Sequence, residues 1–141
     1  MEPIDLGGLP EDALVLLDSA PIIYILEGHP KFVPRFQPVF EQHAKGALRF
    51  AVSTITIAEV LAGPLSTGDE ALARRYRGIL GSWQVVPLDS DIAESAARMR
   101  ASFRLKMADA VQVASALAVN ADALVTHDRD FSNVRSLRVI S

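Results

Sequence analysis

The sequence predicts an α/β domain: a mostly parallel sheet of about five strands with helices on both faces, spanning residues 1–141 as one unit. Two observations carry this expectation. Short apolar runs at residues 14–17, 48–52, 85–86, 123–126 and 137–140 alternate with longer stretches of helical spacing. The first run, within Ala13-Leu14-Val15-Leu16-Leu17, is apolar throughout, which suits a strand covered on both faces. No internal repeat, linker or low-complexity tract argues for a second domain.

The elements follow in order. Pro3, Gly7, Gly8 and Pro10 make residues 1–12 a loop or tail. After the first strand and Asp18, Pro21 suits a first helical turn, and Gly28 with His29-Pro30 ends that helix. Phe32, Phe36, Val39 and Phe40 place a helix over residues 31–44. Ser53-Thr54 caps a helix that Gly63-Pro64 should stop. Thr67-Gly68-Asp69-Glu70 starts another, ending at Gly81. Asp89 or Ser90 caps the next, whose buried stripe is Ile92, Ala96, Met99 and Phe103. Residues 107–119 form the clearest helix, alanine-rich and fit to pack closely on the sheet. Residues 127–131 leave the fourth strand as a loop.

Composition narrows the function classes. The formal net charge of −3 does not advertise a nucleic-acid binder, so such an enzyme would need a local basic patch or metal ions. The absence of cysteine excludes disulfides and thiolate–metal sites and permits a reducing compartment. The amino terminus does not read as a secretion leader, and no apolar run approaches the ~20 residues of a membrane span. A cytoplasmic protein is expected.

Four acids stand out by position. Asp18 and Asp128 each follow an apolar strand. Glu59 lies early in a helix that follows a strand, and Asp109 lies near the start of the alanine-rich helix. In an open α/β sheet, ligands bind outside the carboxyl ends of the strands, and all four acids can point there. Singly, each has a plain reading as a cap, a turn residue or an exposed helical acid. Together they repel one another unless a cation sits among them, and oxygen-only donors favour Mg²⁺ or Mn²⁺.

The surrounding residues make a resemblance specific. Leu17-Asp18-Ser19-Ala20 with Tyr24-Ile25-Leu26-Glu27, then Ser53-Thr54-Ile55-Thr56-Ile57-Ala58-Glu59-Val60, then Met107 to Ala116, then Val125-Thr126-His127-Asp128-Arg129-Asp130-Phe131 occur in this order. The set resembles the four motifs of PIN-domain ribonucleases, particularly the toxins of VapBC-type toxin–antitoxin pairs. The resemblance implies a three-layer α/β/α domain with Asp18, Glu59, Asp109 and Asp128 as the catalytic metal site. It implies Mg²⁺- or Mn²⁺-dependent endonucleolytic cleavage of RNA, a homodimer, and a cognate antitoxin whose tail enters the active groove. Ser19 keeps the hydroxyl expected after the first aspartate, while Ala20 and Pro21 supply no second polar group. Thr126 can orient a carboxylate or a metal-bound water.

Arg98, Arg100, Arg104 and Lys106 precede Asp109, and Arg129 follows Asp128; Arg104, Lys106 and Arg129 are the candidates for phosphate contact. Asp130 reads either as an additional acid of the site or, by preference, as a helix cap beside Phe131; His127 reads as a loop residue pointing away from Asp128 rather than as a substrate contact, and His29 and His43 as surface residues. Tyr24, Phe32, Phe36 and Phe40 serve an antitoxin groove, a dimer face or, for most of them, the core. With few aromatics outside the expected core, no cleavage sequence can be read. A dehalogenase-like phosphatase needs a second acid where Ala20 stands, and a receiver domain needs a strand-end lysine that is absent. A standalone PIN ribonuclease in RNA processing and a catalytically degenerate PIN binding module remain the rivals.

Overall fold

The computed structural model describes residues 2–141, the side chains of Ser132 and Asn133 excepted. Five strands form one all-parallel sheet: β1 (Ala13–Leu17), β2 (Leu48–Ser53), β3 (Gln84–Val86), β4 (Ala123–Val125) and β5 (Val139–Ile140), in the order β3-β2-β1-β4-β5. The connections hold six helices: α1 (Ser19–Glu27), α2 (Val33–Ala44), α3 (Thr54–Ser66), α4 (Glu70–Gly81), α5 (Ser90–Phe103) and α6 (Met107–Ala118).

The pleat of β1 divides the core in two. Ala13, Val15 and Leu17 face one cluster with Ile22 of α1, Phe36 and Val39 of α2, Val60 of α3 and Leu80 of α4. Leu14 and Leu16 face the other, with Ile92 and Ala96 of α5 and Ala110, Val111, Val113 and Ala114 of α6. The sheet is thus the middle of three layers, and β1, its central strand, is buried at all five positions. Burying a side chain such as Leu16 or Leu17 stabilises by about 1.5–3 kcal/mol. Small residues on α6 let that helix lie close against the sheet, which fixes where Asp109 and its neighbours project.

Several boundaries differ from the expectation. Pro64 does not stop α3, which runs to Ser66; Ser66 Oγ donates to the Gly63 carbonyl at 2.6 Å and Thr67 Oγ1 to the Pro64 carbonyl at 3.1 Å. These hydroxyls add to the amides of Thr67 and Asp69, which also donate to the Pro64 carbonyl, in satisfying the end carbonyls. The first helix begins at Ser19, capped by Asp18, with Pro21 in its first turn as expected. Asp89, not Ser90, caps α5, accepting from the Ile92 amide at 2.8 Å. The last strand covers only Val139–Ile140, and Arg129–Asn133 is a 3-10 turn rather than open loop.

Candidate active site

β1 ends at Leu17, and the Asp18 amide continues the ladder by donating to the Val125 carbonyl of β4 at 2.9 Å. This pins the Asp18 backbone at the carboxyl edge of the sheet. Its side chain is only 9% exposed and accepts from three groups. Oδ1 takes the Ser19 amide at 2.9 Å and Gln112 Nε2 at 3.0 Å, and Oδ2 takes Thr126 Oγ1 at 2.8 Å. Thr126 Oγ1 in turn accepts from the Asp128 amide at 3.0 Å, so one hydroxyl orients two of the acids. Asp18 caps α1 and also lies at the carboxyl edge of the sheet, where its charge reaches Asp109 and Glu59.

Asp109 is the third residue of α6. A helix amino terminus favours a carboxylate by about 0.3–1 kcal/mol. The surroundings oppose this more strongly. Burial, then the charges of Asp128 and Asp18, push the Asp109 carboxyl up to about 6, with Lys106 acting the other way and Asp130 adding to the rise. Its Oδ2 is buried and has no hydrogen-bond partner among the described residues. Oxygens of Asp109, Asp128 and Asp130 lie within 4.8 Å of one another. Like charges at that separation repel by about 3 kcal/mol where the effective dielectric is near 20.

Asp130 corrects the sequence reading. The cap of the 3-10 turn is Asp128, whose Oδ1 accepts from the Asp130 amide at 2.8 Å. The tight turn brings Asp130 back beside Asp128 and Asp109. Glu59 and Asp18 stand outside that group of three but are coupled to it. The Glu59 carboxyl is raised by burial first and by the Asp18 charge second, and a hydrogen bond from the Ser19 side chain restrains the rise. The acids therefore form an arc, from Glu59 through Asp18 and Asp109 to Asp128 and Asp130.

The flanks are less acidic. His127 is half-buried, contrary to its expected place in an open loop. Its Nδ1 shares a hydrogen bond with the Tyr24 hydroxyl at 2.8 Å, and its ring meets Phe32 edge-on at 4.6 Å. Burial lowers the His127 pKa, as do the cations Arg35, Arg129 and Lys31, against the pull of Asp128. A cavity of about 310 Å³ is lined by Arg35, His127 and Arg129 with Glu2 and Ser141. Arg129 also borders the neighbouring cleft with Asp128. Lys106 caps α6 beside Asp109, while Arg104 is exposed at the end of α5 and Arg98 pairs with Glu94 at 3.8 Å. Tyr24 and Phe32 keep part of their surface accessible, whereas Phe36 is fully buried. His43 and His29 are not simple surface residues: His43 stacks on Phe50 at 4.0 Å, and His29 Nδ1 accepts from the Lys31 and Phe32 amides.

A profile of the family described as PIN domain matches residues 15–137. The chain belongs to the PIN-domain family. Solved structures agree on the fold. A toxin–antitoxin complex from Klebsiella pneumoniae is 24% identical, with a TM-score of 0.72 over 90% of this chain and 96% of that one. VapBC2 from Rickettsia felis, bound to a DNA fragment from its promoter, is 20% identical with a TM-score of 0.70 over 89% and 96%. The sarcin-ricin-loop-cleaving toxin VapC20 from Mycobacterium tuberculosis is 14% identical with a TM-score of 0.67 over 88% and 98%. A comparison with curated proteins finds no match. Among the described residues, no helix of this PIN domain is long and apolar enough to cross a membrane.

The donor set of this PIN domain fits a hard cation. Asp109 has a buried oxygen, Oδ2, without a partner among the described residues, and an oxygen of its carboxylate lies within 4.8 Å of oxygens of Asp128 and Asp130, a donor set that a divalent ion would satisfy. The motif reading gives one residue beside the acids no role: Gln112, which is 1% exposed and bonded to Asp18; Asp130 reads there as an additional acid or, by preference, as a cap. Gln112 had one available signal, an amide inside the otherwise apolar run Ala110-Val111-Gln112-Val113-Ala114.

Proposed function

We propose that the protein is a metal-dependent endoribonuclease and the VapC-type toxin of a toxin–antitoxin pair. One observation carries this reading: on a PIN domain, Asp109, whose carboxyl is raised to about 6 and whose buried Oδ2 has no partner among the described residues, stands within reach of Asp128 and Asp130. The likeness of the fold to VapBC structures supports the toxin assignment and, with it, an antitoxin partner and a homodimer in the cytoplasm.

When bound, Mg²⁺ or Mn²⁺ offsets the acids and supplies Lewis acidity toward a phosphoryl oxygen and water. Asp18, Asp109 and Asp128 would hold it, with Asp130 within reach as a further donor. Glu59, whose carboxyl holds its proton more tightly than usual, takes a proton from the attacking water. Water adds to phosphorus, the phosphodiester P–O bond breaks, and the leaving oxygen gains a proton from solvent. Ser19 and Thr126 keep Glu59 and Asp18 in place.

Arg129 and Lys106 flank the acids and are placed for phosphate contact; Arg104 stands farther back on the chain as an outer cation. The half-buried Tyr24, Phe32 and His127 rings offer a stacking surface, which suits a single-stranded or looped RNA.

The test is cleavage of structured and unstructured RNA by partner-free protein in Mg²⁺, Mn²⁺ or EDTA. Cleavage is expected in either metal and none in EDTA. Asp109→Asn should lower the rate about 10³-fold, the several kcal/mol that metal charge stabilisation supplies. Production of the wild-type chain alone should arrest cell growth, and the Asp109→Asn chain should not. A folded wild-type protein that cuts no RNA in any metal would point instead to a PIN binding module; cleavage without growth arrest would favour a standalone processing ribonuclease.

A further inference from the structure

A buried polar circuit joins Asp18 to Gln112, Thr56 and Ser53. Gln112 Nε2 donates to Asp18 Oδ1 at 3.0 Å and to Thr56 Oγ1 at 2.7 Å. Ser53 Oγ donates to Gln112 Oε1 at 2.8 Å and lies 3.4 Å from Thr56 Oγ1. Ser53, Thr56 and Gln112 are each 0–1% exposed. The amide orientation is fixed by chemistry, because an ionised carboxylate only accepts and must meet the NH₂ group. A buried amide left without partners costs about 1–3 kcal/mol, and here both of its ends are satisfied. The circuit spans three elements, from β2 through α3 to α6.

Its effect on Asp18 follows from counting lone pairs. An ionised carboxylate has about four acceptor positions, two on each oxygen. On Oδ1 both are used, by the Ser19 amide and by Gln112. On Oδ2 one is used, by Thr126, and one remains. We propose that Gln112 is a positioning residue that makes Asp18 a one-oxygen metal ligand, through Oδ2, and thereby favours Mg²⁺ over Ca²⁺ in the acidic cleft. The proposal rests on the metal-dependent reading of that cleft. Mg²⁺ requires near-octahedral geometry with short bonds, while Ca²⁺ accepts six to eight oxygens and bidentate carboxylates in flexible geometry. Blocking one oxygen removes the bidentate mode that Ca²⁺ uses and Mg²⁺ does not need. The amide also fixes the carboxylate plane before the ion arrives.

The experiment is calorimetric titration of the full chain with MgCl₂ and with CaCl₂, for wild type and for Gln112→Met, which keeps the length and removes the donor. Mg²⁺ affinity is expected to fall 10–100-fold, as for other groups that orient metal ligands. Ca²⁺ affinity should fall far less, so the preference for Mg²⁺ shrinks by about tenfold. Ser53→Ala, which leaves the amide present but unanchored, should change the preference in the same direction by less, and it guards against failure of Gln112→Met to fold. Unchanged preference in both folded variants, even with a lower melting temperature, would make Gln112 a core residue only and overturn the proposal. A wild-type protein that binds neither ion would overturn the metal reading itself. One that binds both ions, with a preference indifferent to residue 112, would overturn only the role of Gln112.

Discussion

Asp18 and Asp109 belong to two sides of one cleft, and the fold treats them in opposite ways. On the β1 side, Asp18 is capped by a backbone amide, a side-chain amide and a hydroxyl, all neutral donors held by buried structure. On the α6 side, Asp109 has a buried oxygen with no donor and two carboxylates beside it, and its carboxyl is raised to about 6. One carboxylate takes three donors from the protein and keeps a single acceptor position on Oδ2. The other is left with a deficit that a cation is suited to fill. A site built this way has a fixed reference ligand and a responsive one, so ion binding is coupled to proton loss at a single place.

The sharpest way to break this comparison is to make the same substitution on both sides. Asp18→Ala strands the Gln112 amide, the Thr126 hydroxyl and the first amide of α1, and should destabilise the metal-free protein by about 2 kcal/mol. Asp109→Ala should stabilise it, by about 1 kcal/mol at pH 7 once solvent screening of a partly exposed group is allowed for. The second effect depends on pH with a definite sign. The folded pKa of Asp109, about 6, exceeds its ordinary 3.8, so between those values the folded state holds more protons than the unfolded state. The burden of Asp109 is therefore absent below about pH 4, grows as pH rises through the window, and is constant above about pH 6. Glu59 titrates with the same sign. Thermal melts of the three proteins at pH 4 and pH 7 check this: the advantage of Asp109→Ala should appear only at the higher pH. Equal signs for the two variants would dissolve the distinction.

Thr126→Val is a smaller perturbation. It removes the Oδ2 donor from Asp18 and the acceptor from the Asp128 amide. Mg²⁺ affinity by calorimetry should fall about tenfold, with the fold retained. Smallest is Arg129→Ala on the rim, expected to weaken RNA binding a few-fold in fluorescence anisotropy. It should reduce the salt dependence of binding by about one phosphate contact without changing metal affinity.

The side of the cleft that carries Asp18 was open to sequence reasoning because strand ends announce themselves: an apolar run stops, and the next polar residue sits at the sheet edge. The same logic found Asp128, and first-turn placement found Asp109. The order of elements and their parallel pairing followed from alternation alone. Asp130 reads by preference as a cap, and only second as an acid, because the distinction between capping and being capped is made by a single 3-10 turn, in which Asp128 accepts the amide of Asp130 itself. Gln112 was hidden because its partners, Asp18, Ser53 and Thr56, are distant in sequence, and a lone amide in an apolar helix names no partner. Pro64 misled because a proline near a helix end removes one amide without stopping the chain, and α3 closes two residues later with the Ser66 and Thr67 hydroxyls on the Gly63 and Pro64 carbonyls. His127 misled for a similar reason: its partner Tyr24 lies on α1, and only the packing of α1 beside the β4 loop brings them together.

The most direct test of the central claim is proton release on Mg²⁺ binding, measured by calorimetry at pH 5.5 and pH 7.5 in buffers of different ionisation enthalpy. The account predicts a single tight ion and most of one proton released at pH 5.5, falling toward zero at pH 7.5. Affinity at pH 5 should be about tenfold weaker than at pH 7, as a competing proton with a pKa near 6 requires. Binding without proton release at either pH, or no binding at all by folded protein, would contradict the assignment of Asp109 as the residue that awaits the cation.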